Sequence, residues 1–147
     1  HTLVWVEGEL DKLSMDVAGI TACVSVPDGA PDAKSKSYES KFSFLESVED
    51  LLSAVEQHIL AVDNDANGRR LEEELARRLG VEKCRRVTWP EECKDANDVL
   101  SRYGADRLAQ CLADAEAYPV EGLMEVKTIE LLAWDVYEHG LTPGVST

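Results

Sequence analysis

The sequence has no run of apolar residues near the roughly 18 that a membrane-spanning helix requires, so we expect no membrane partner. Its first residues also lack the basic stretch and cleavage pattern of a targeting peptide. Basic residues are scarce, because 15 lysines and arginines stand against 29 aspartates and glutamates and leave a net charge of −14. Since phosphate affinity comes from lysine and arginine, this balance argues against a freestanding nucleic-acid-binding protein.

Several catalytic motifs built on cysteine, histidine and glycine are missing as well. The four cysteines are not paired as C-x-x-C, and no histidine lies beside them at zinc-ligand spacing. We therefore expect reduced thiols, mostly in the core, in a compartment that is not oxidising. No Ser-His-Asp or Cys-His set stands out, and no glycine-rich loop carries the lysine of a phosphate-binding loop. The acidic residues are left as the main candidates for chemistry.

Both ends of the chain suggest a piece of a longer protein. The first residue is His1 rather than methionine, and a strand-like run begins almost at once. Residues 144–147 end the chain without a helix cap or a polar tail. We therefore expect flanking regions, and with them any targeting sequence, outside this chain.

Short apolar runs alternate with helix-like segments over most of the chain. The runs predict strands over residues 3–6, 23–26, 59–62 and 84–89. Amphipathic spacing and helix-end signals predict helices over residues 9–18, 44–55, 69–79, 95–103 and 105–115. This alternation is typical of βαβ units, so we predict an α/β fold with about four mainly parallel strands flanked by helices. Beyond residue 118 the pattern changes, and a separate helix is predicted over 126–137.

Acidic residues follow the predicted strands directly. Glu7 comes after the first strand, and Asp63 and Asp65 come after the third. Because ligands of such sheets bind at the carboxyl ends of the strands, these side chains are expected to converge, with Asp11 and Asp95 as further members. Carboxylates this close repel each other unless a cation lies between them. Mg²⁺ prefers oxygen ligands and binds substrate phosphates, so the pattern favours phosphoryl or nucleotidyl transfer.

The same acidic residues are also compatible with helix capping and with calcium binding. Aspartates at strand ends often cap the next helix, and Asp65 and Asp95 are placed to do so. The spacing of an EF-hand calcium loop is also matched, by Asp63, Asp65, Asn67, Gly68 and Glu74. The helix-forming residues that follow Gly68 at once, and the lack of a second hand, weigh against a calcium loop.

Three segments together resemble the Toprim domain. The first is an apolar strand that leads into E-G-E-L-D at residues 7–11, and the second leads into D-N-D at 63–65. The third, K-D-A-N-D at 94–98, is more selective. It resembles the primase half of the bifunctional primase-helicases of phage and their organellar relatives of the Twinkle type. The turn at 26–31 and the run at 73–80 look most like plant and algal organellar members.

The resemblance implies a fold, a reaction and a cofactor. It implies a Rossmann-like Toprim catalytic domain over residues 1–117, and a linker helix within 118–147 that leads toward a helicase domain. The implied reaction is template-directed synthesis of an RNA primer by nucleotidyl transfer, with Mg²⁺ or Mn²⁺ as the cofactor. A full-length protein of this family would also be an ATP-dependent 5′–3′ DNA helicase.

Matching motif positions imply the roles of individual residues. The metal ligands are expected to be Glu7, Asp63, Asp65 and Asp95. Asp11 would support the site from the first turn of the helix, and Lys94 would take part in catalysis by meeting a phosphate or orienting a carboxylate. Since all of these residues are present, the resemblance favours an active primase. A degenerate Toprim scaffold in a replicative ring helicase and a Toprim nuclease are the alternatives.

The resemblance also implies partners and a location. Single-stranded DNA template, nucleoside triphosphates and other subunits of a ring oligomer are expected, the last through the linker helix. The basic N-terminal subdomain that supplies much of the template and nucleotide contact in these primases is missing, so we expect the isolated chain to prime poorly or not at all. Organellar members imply a mitochondrion or plastid, and phage members the host cytoplasm.

Overall fold

A computed structural model describes residues 1–31 and 38–120 of the chain. Within these ranges one sheet contains the strands β1 (Thr2–Val6), β2 (Cys23–Ser25), β3 (Gln57–Leu60), β4 (Cys84–Arg86) and β5 (Glu116–Ala117). Their order across the sheet is β2-β1-β3-β4-β5. The first four strands are parallel, and β5 runs antiparallel to β4. The predicted α/β fold with a mainly parallel sheet is confirmed, and β5 is a strand that the sequence did not predict.

Helices connect the strands and cover both faces of the sheet. They are α1 (Glu9–Val17), α2 (Glu39–Phe42), α3 (Glu49–Ser53), α4 (Ala66–Leu79), α5 (Ala96–Tyr103) and α6 (Ala105–Ala113), with 3-10 helices at Ser43–Val48 and Val81–Lys83. None of the described helices combines the length and the apolar character that crossing a membrane demands.

The alternating side chains of β1 divide the core into two layers. Val4 and Val6 join one apolar cluster with Met15 of α1, Val99 of α5 and Leu108 of α6. Each of these side chains is at most 4% exposed. The face of the sheet toward α1, α5 and α6 is therefore fully covered.

The opposite layer forms around Trp5. Phe42 of α2 and Leu71 and Leu75 of α4 pack with it in a second apolar cluster. Leu71 and Leu75 are completely buried, and full burial of a leucine side chain contributes about 1.5–3 kcal/mol. Because both faces of β1 are covered, the strand reads in sequence as a continuous apolar run rather than as an alternating one.

The order of the strands changes direction at β1. The chain passes from β1 to β2 on one side, whereas β3 lies on the other side of β1. A crevice opens at such a point, outside the carboxyl ends of the two strands, and ligands of open α/β sheets bind there. The residues that directly follow β1 and β3 are consequently in the position where a ligand is expected.

Helix α4 begins at Ala66, three residues earlier than predicted. Asp65 caps its first turn, and Gly80 ends it with a positive φ of 96°. The segment through Glu74 is therefore wound into a helix and is not wrapped around an ion. The interpretation of this segment as a calcium loop is wrong.

The predicted helix at 44–55 is broken into shorter pieces, which are the 3-10 helix Ser43–Val48 and α3. Ser47 and Ser53 each donate a side-chain hydrogen bond to the carbonyl oxygen three residues earlier, at 2.7 Å in both cases. The Ser47 bond lies beside the junction of the two pieces, where it competes with regular helical hydrogen bonding. The predicted helix at 126–137 lies outside the described residues.

The fourth predicted strand is shorter than expected, because β4 ends at Arg86. Trp89 instead turns its indole toward the neighbouring strand and donates a hydrogen bond of 2.8 Å to the carbonyl oxygen of Val62. The four cysteines are free and buried, so their predicted position in the core is confirmed.

Candidate metal centre

The residues predicted for the site meet at the carboxyl edge of the sheet. Glu7 is the first residue after β1, and Asp63 and Asp65 lie in the turn between β3 and α4. Lys94 and Asp95 end the loop that leads into α5. Three connections of the fold thus bring their side chains to the crevice between β1 and β3.

Three aspartates converge most closely. One carboxylate oxygen each from Asp11, Asp63 and Asp95 lies within 4.8 Å of the other two. Asp11 is only 7% exposed, and its Oδ1 accepts a hydrogen bond of 3.2 Å from the backbone N–H of Asn97. This bond ties α1 to α5 and turns the Asp11 carboxylate toward the other two.

Asp65 and Asp95 do cap helices, as their positions in the sequence allowed. Asp65 Oδ1 accepts hydrogen bonds of 2.9 Å from the N–H groups of Asn67 and Gly68. Asp95 Oδ1 accepts one of 2.8 Å from the N–H of Asp98. Each cap uses Oδ1, so the second oxygen of each carboxylate remains for another partner. Capping fixes Asp95 within the cluster of three aspartates and Asp65 beside it, so a capping role is compatible with a metal-binding role.

Lys94 contacts two of the predicted ligands. Its ammonium nitrogen lies 2.7 Å from Asp63 Oδ2 and 3.3 Å from Asp65 Oδ2. Hydrogen bonding to these carboxylates raises the pKa of Lys94 above its usual range. The role of orienting a carboxylate, which was one of two predicted for Lys94, matches this contact.

The carboxylate of Glu7 indicates whether the site can accommodate a cation. Its Oε1 accepts a hydrogen bond of 3.3 Å from the N–H of Ala30, but its Oε2 is buried without a hydrogen-bond partner. Leaving a buried carboxylate oxygen unsatisfied is costly, and a cation bound to it removes that cost. Together with an all-oxygen donor set, this makes the cluster suitable for a hard divalent ion such as Mg²⁺.

The electrostatics of the cluster agree with that assessment. Burial, and then the nearby charge of Asp95, raise the pKa of Asp11 to about 6. Burial and the charge of Asp63 raise the pKa of Glu7, and burial also raises that of Asp63. By contrast, the N–H of Gly68 is the main cause that lowers the pKa of Asp65. A divalent cation would favour the ionised form of all of them.

An open cleft of about 400 Å³ gives access to the cluster, with Glu7, Asp11, Asp28 and Asp63 in its lining. A larger cleft of about 590 Å³ lies near the amino ends of β3 and β4 and includes His58 in its lining. We place the candidate site in the smaller cleft, because the carboxylates that follow β1 and β3 meet there.

Two residues that hold the predicted ligands in place were not predicted from the sequence. Asn97, which binds Asp11, and Asp98, which accepts a hydrogen bond from the backbone N–H of Lys94, both belong to the segment 94–98. Their position in the sequence next to Lys94 and Asp95 could have identified them. Asp11 was expected to support the site, and it lies among the three closest carboxylates. The assignment of particular residues as metal ligands stays a prediction.

Comparisons with known proteins agree with the geometry. A family model described as Toprim-like matches residues 4–100. The chain is 42% identical over 158 residues to a Twinkle homolog protein, chloroplastic/mitochondrial, of Arabidopsis thaliana, with 99% of this chain and 22% of that protein covered. It is also 42% identical over 130 residues to a primase homolog protein of the same plant, with 81% and 39% covered. The chain thus spans well under half the length of these curated relatives.

Solved structures of primases share the fold. The primase fragment of the bacteriophage T7 primase-helicase superposes with a TM-score of 0.58 at 27% identity, over 76% of this chain and 43% of that one. T7 primase domains seen with the lagging-strand DNA polymerase and an RNA/DNA hybrid give a TM-score of 0.62 at 27% identity, over 80% and 56%. The RNA polymerase domain of Mycobacterium tuberculosis primase gives 0.59 at 18% identity, over 94% and 51%, and shows the shared fold alone. Toprim domains bind divalent metal ions, in agreement with the acidic cluster described above.

Proposed function

The chain belongs to the Toprim-like family, and on that premise we propose that it is the metal-binding catalytic domain of a DNA primase within a primase-helicase. The observation that carries the proposal is the convergence of Asp11, Asp63 and Asp95 at the crevice between β1 and β3. The primase names of the relatives and the T7 primase neighbours support it.

The proposed cofactor is Mg²⁺, with Mn²⁺ as a substitute. The residues that would hold it are Glu7, Asp11, Asp63, Asp65 and Asp95. When bound, such an ion supplies stabilisation of the negative charge that develops on phosphate oxygens. The chain itself supplies preorganisation, because helix capping and the hydrogen bond from Asn97 hold three of these carboxylates in place before any ligand arrives.

The proposed reaction is nucleotidyl transfer. The 3′-oxygen of one nucleotide forms a bond to the α-phosphorus of the next, the bond from that phosphorus to the pyrophosphate oxygen breaks, and pyrophosphate leaves. The proton of the 3′-hydroxyl passes to solvent water, and Glu7, whose Oε2 is buried without a hydrogen-bond partner, is proposed as a metal ligand.

The domain limits, partners and location belong to the same proposal. We place the catalytic domain at residues 1–117 and a linker within 118–147 that contacts other subunits of a ring. Single-stranded template and nucleoside triphosphates are the proposed substrates, and the net charge of −14 implies that basic surfaces elsewhere in the full protein bind most of the template. The chloroplastic/mitochondrial Twinkle homolog supports an organellar location.

Calorimetric titration with Mg²⁺ and Mn²⁺ tests the metal site directly. Wild type is compared with Asp63→Asn, which keeps the shape of the side chain and removes one charge. Asp50→Asn on α3 is the matched control, because it makes the same change at an exposed position on another part of the surface. We expect Asp63→Asn to weaken Mg²⁺ binding by at least about tenfold, because changes to residues just outside a metal's ligands already have an effect of that size. The control is expected to bind Mg²⁺ like wild type.

Three outcomes are distinguishable in this titration. Binding that is lost only in Asp63→Asn supports the proposed site. Equal loss in the control would mean that bulk charge alone attracts the ion, and would contradict the site. No binding in any of the three proteins would favour a degenerate Toprim scaffold over an active primase domain.

A further inference from the structure

The backbone of Lys94 is held on both sides, whereas its side chain is half exposed. Its carbonyl oxygen accepts a hydrogen bond of 2.7 Å from the N–H of Asn64, and its N–H donates one of 2.9 Å to Asp98 Oδ2. Its side chain is 53% exposed to solvent. The backbone of Lys94 is thus fixed in the fold. The four-carbon side chain can change its direction without moving that backbone.

The ammonium of Lys94 contacts oxygens that a metal ion also needs. It lies within 3.3 Å of one oxygen of Asp63 and one of Asp65. Asp65 Oδ1 is already committed to the cap of α4, so Oδ2, which faces Lys94, is the oxygen that remains for a ligand. A lysine ammonium and a divalent cation on the same oxygens repel each other, and only one of them can be bound there closely.

We propose that the Lys94 ammonium and a divalent cation are alternative occupants of the space between Asp63 and Asp65, and that Mg²⁺ binding displaces the lysine side chain. The inference rests on the proposed metal site and adds a role for Lys94 as an internal counter-ion. Asp63 and Asp65 share this one ammonium, so its positive charge lowers the repulsion between the two ionised carboxylates whenever no metal is bound.

Displacement has a functional consequence for Lys94 itself. The side chain leaves the carboxylates only when a metal takes its place, and the ammonium then lies next to the metal centre without its carboxylate partners. In this way the counter-ion becomes a free donor for an anionic group at the moment when the metal is loaded.

Calorimetry with Mg²⁺ alone tests the inference on wild type, Lys94→Met and Lys83→Met. Lys83→Met is the charge-matched control, because Lys83 ends the 3-10 helix before β4 at the other edge of the sheet. Displacing an exposed ion pair is weakly unfavourable, so we expect Lys94→Met to bind Mg²⁺ about fivefold more tightly than Lys83→Met does. Both positions are at least partly exposed, and amide NMR spectra of each variant establish that it folds.

A second readout observes the side chain of Lys94 in the wild-type protein. Its Cε methylene and ammonium signals, assigned by comparison with Lys94→Met, are expected to move to those of a solvated lysine as Mg²⁺ saturates the protein. Tighter binding in Lys94→Met together with this movement supports the inference. An ammonium signal that stays ion-paired at saturation overturns it, whatever the affinities are.

The remaining outcomes separate this inference from the proposed function. If wild type binds Mg²⁺ and Lys94→Met binds equally or more weakly than Lys83→Met, Lys94 helps to hold the metal ligands, and the inference fails while the metal site stands. If neither wild type nor Lys94→Met binds Mg²⁺, the metal site and the displacement are both refuted.

Discussion

Gly68 packs directly against the backbone of Asp63. A Cβ atom at residue 68 would lie 2.0 Å from the carbonyl oxygen of Asp63, a distance that no side chain can tolerate. The first turn of α4 therefore lies against the turn that presents the acidic cluster, and the lack of a side chain at residue 68 makes this contact possible. The glycine in the D-N-D-x-x-G pattern is required by this packing.

Gly68→Ala is expected to destabilise the protein, although alanine is the better helix former. The methyl group must displace the backbone of Asp63, and overpacking of this kind costs about 1–3 kcal/mol. Urea unfolding measures the change, with the exposed position Glu73→Ala on the same helix as the control. A variant as stable as wild type, with unaltered Mg²⁺ binding, would show that the contact has no role in positioning Asp63.

Asp11→Asn is expected to stabilise the protein at pH 7 when metal is removed with EDTA. The pKa of Asp11 in the folded protein is raised from 3.8 to about 6, chiefly by burial. The protonated carboxyl therefore stabilises the fold below about pH 4, and this contribution is lost as the pH rises through 6. Asparagine is uncharged at every pH and keeps an oxygen for the N–H of Asn97, so the gain at pH 7 should be roughly 1–3 kcal/mol.

Urea unfolding of Asp11→Asn and wild type at pH 4, 5, 6 and 7 tests this prediction. The two proteins should be similar in stability near pH 4 and should diverge as the pH rises. Asp50→Asn, at an exposed position, is expected to follow wild type throughout. A difference that is constant across this range would contradict the assignment of a raised pKa to Asp11.

Substitutions of Asp95 are expected to separate its two roles. Asparagine caps helices as well as aspartate does, so Asp95→Asn should retain stability in EDTA and weaken Mg²⁺ binding by about tenfold or more. Asp95→Ala removes the bond to the N–H of Asp98 as well, and should cost about a further 1 kcal/mol of stability. Thermal unfolding and calorimetry on the same samples measure both effects. If Asp95→Asn binds Mg²⁺ like wild type, Asp95 is a cap and not a ligand.

The central part of the fold was predictable from the sequence because its signals are local. The apolar runs of β1 and β3 are each buried on both faces, and Glu7 and Asp63 follow them directly. Once parallel strands are inferred, the meeting of these two residues at one edge follows from topology. The capping and metal-binding roles of Asp65 could not be separated in advance, since the same residue type at the same position serves as a cap and as a neighbour of the acidic cluster.

Features that depend on packing between distant segments could not be predicted. The position of Asp11 relative to Asp95 depends on how α1 packs on α5, and only the bond to Asn97 reveals it. Strand β5 has two residues, too few for a periodic pattern. It forms by hydrogen bonding to the open edge of β4. The pairing of the buried Glu72 with Arg86 likewise joins α4 to β4 across segments whose contact no local pattern indicates.

The position of β1 between β2 and β3 has a consequence for how the chain folds. β1 begins at the second residue of the chain, yet its partner β3 begins at Gln57, so the pairing must close a loop of more than fifty residues. Closing such a loop is slow compared with forming a helix, because the loop loses conformational entropy before the strands form stabilising contacts. During synthesis the β1 edge that pairs with β3 therefore stays unpaired until Leu60 has emerged from the ribosome. The acidic residues come close to one another only after β1 and β3 have paired. Affinity for a metal ion should therefore appear late in folding and indicate that the sheet has formed.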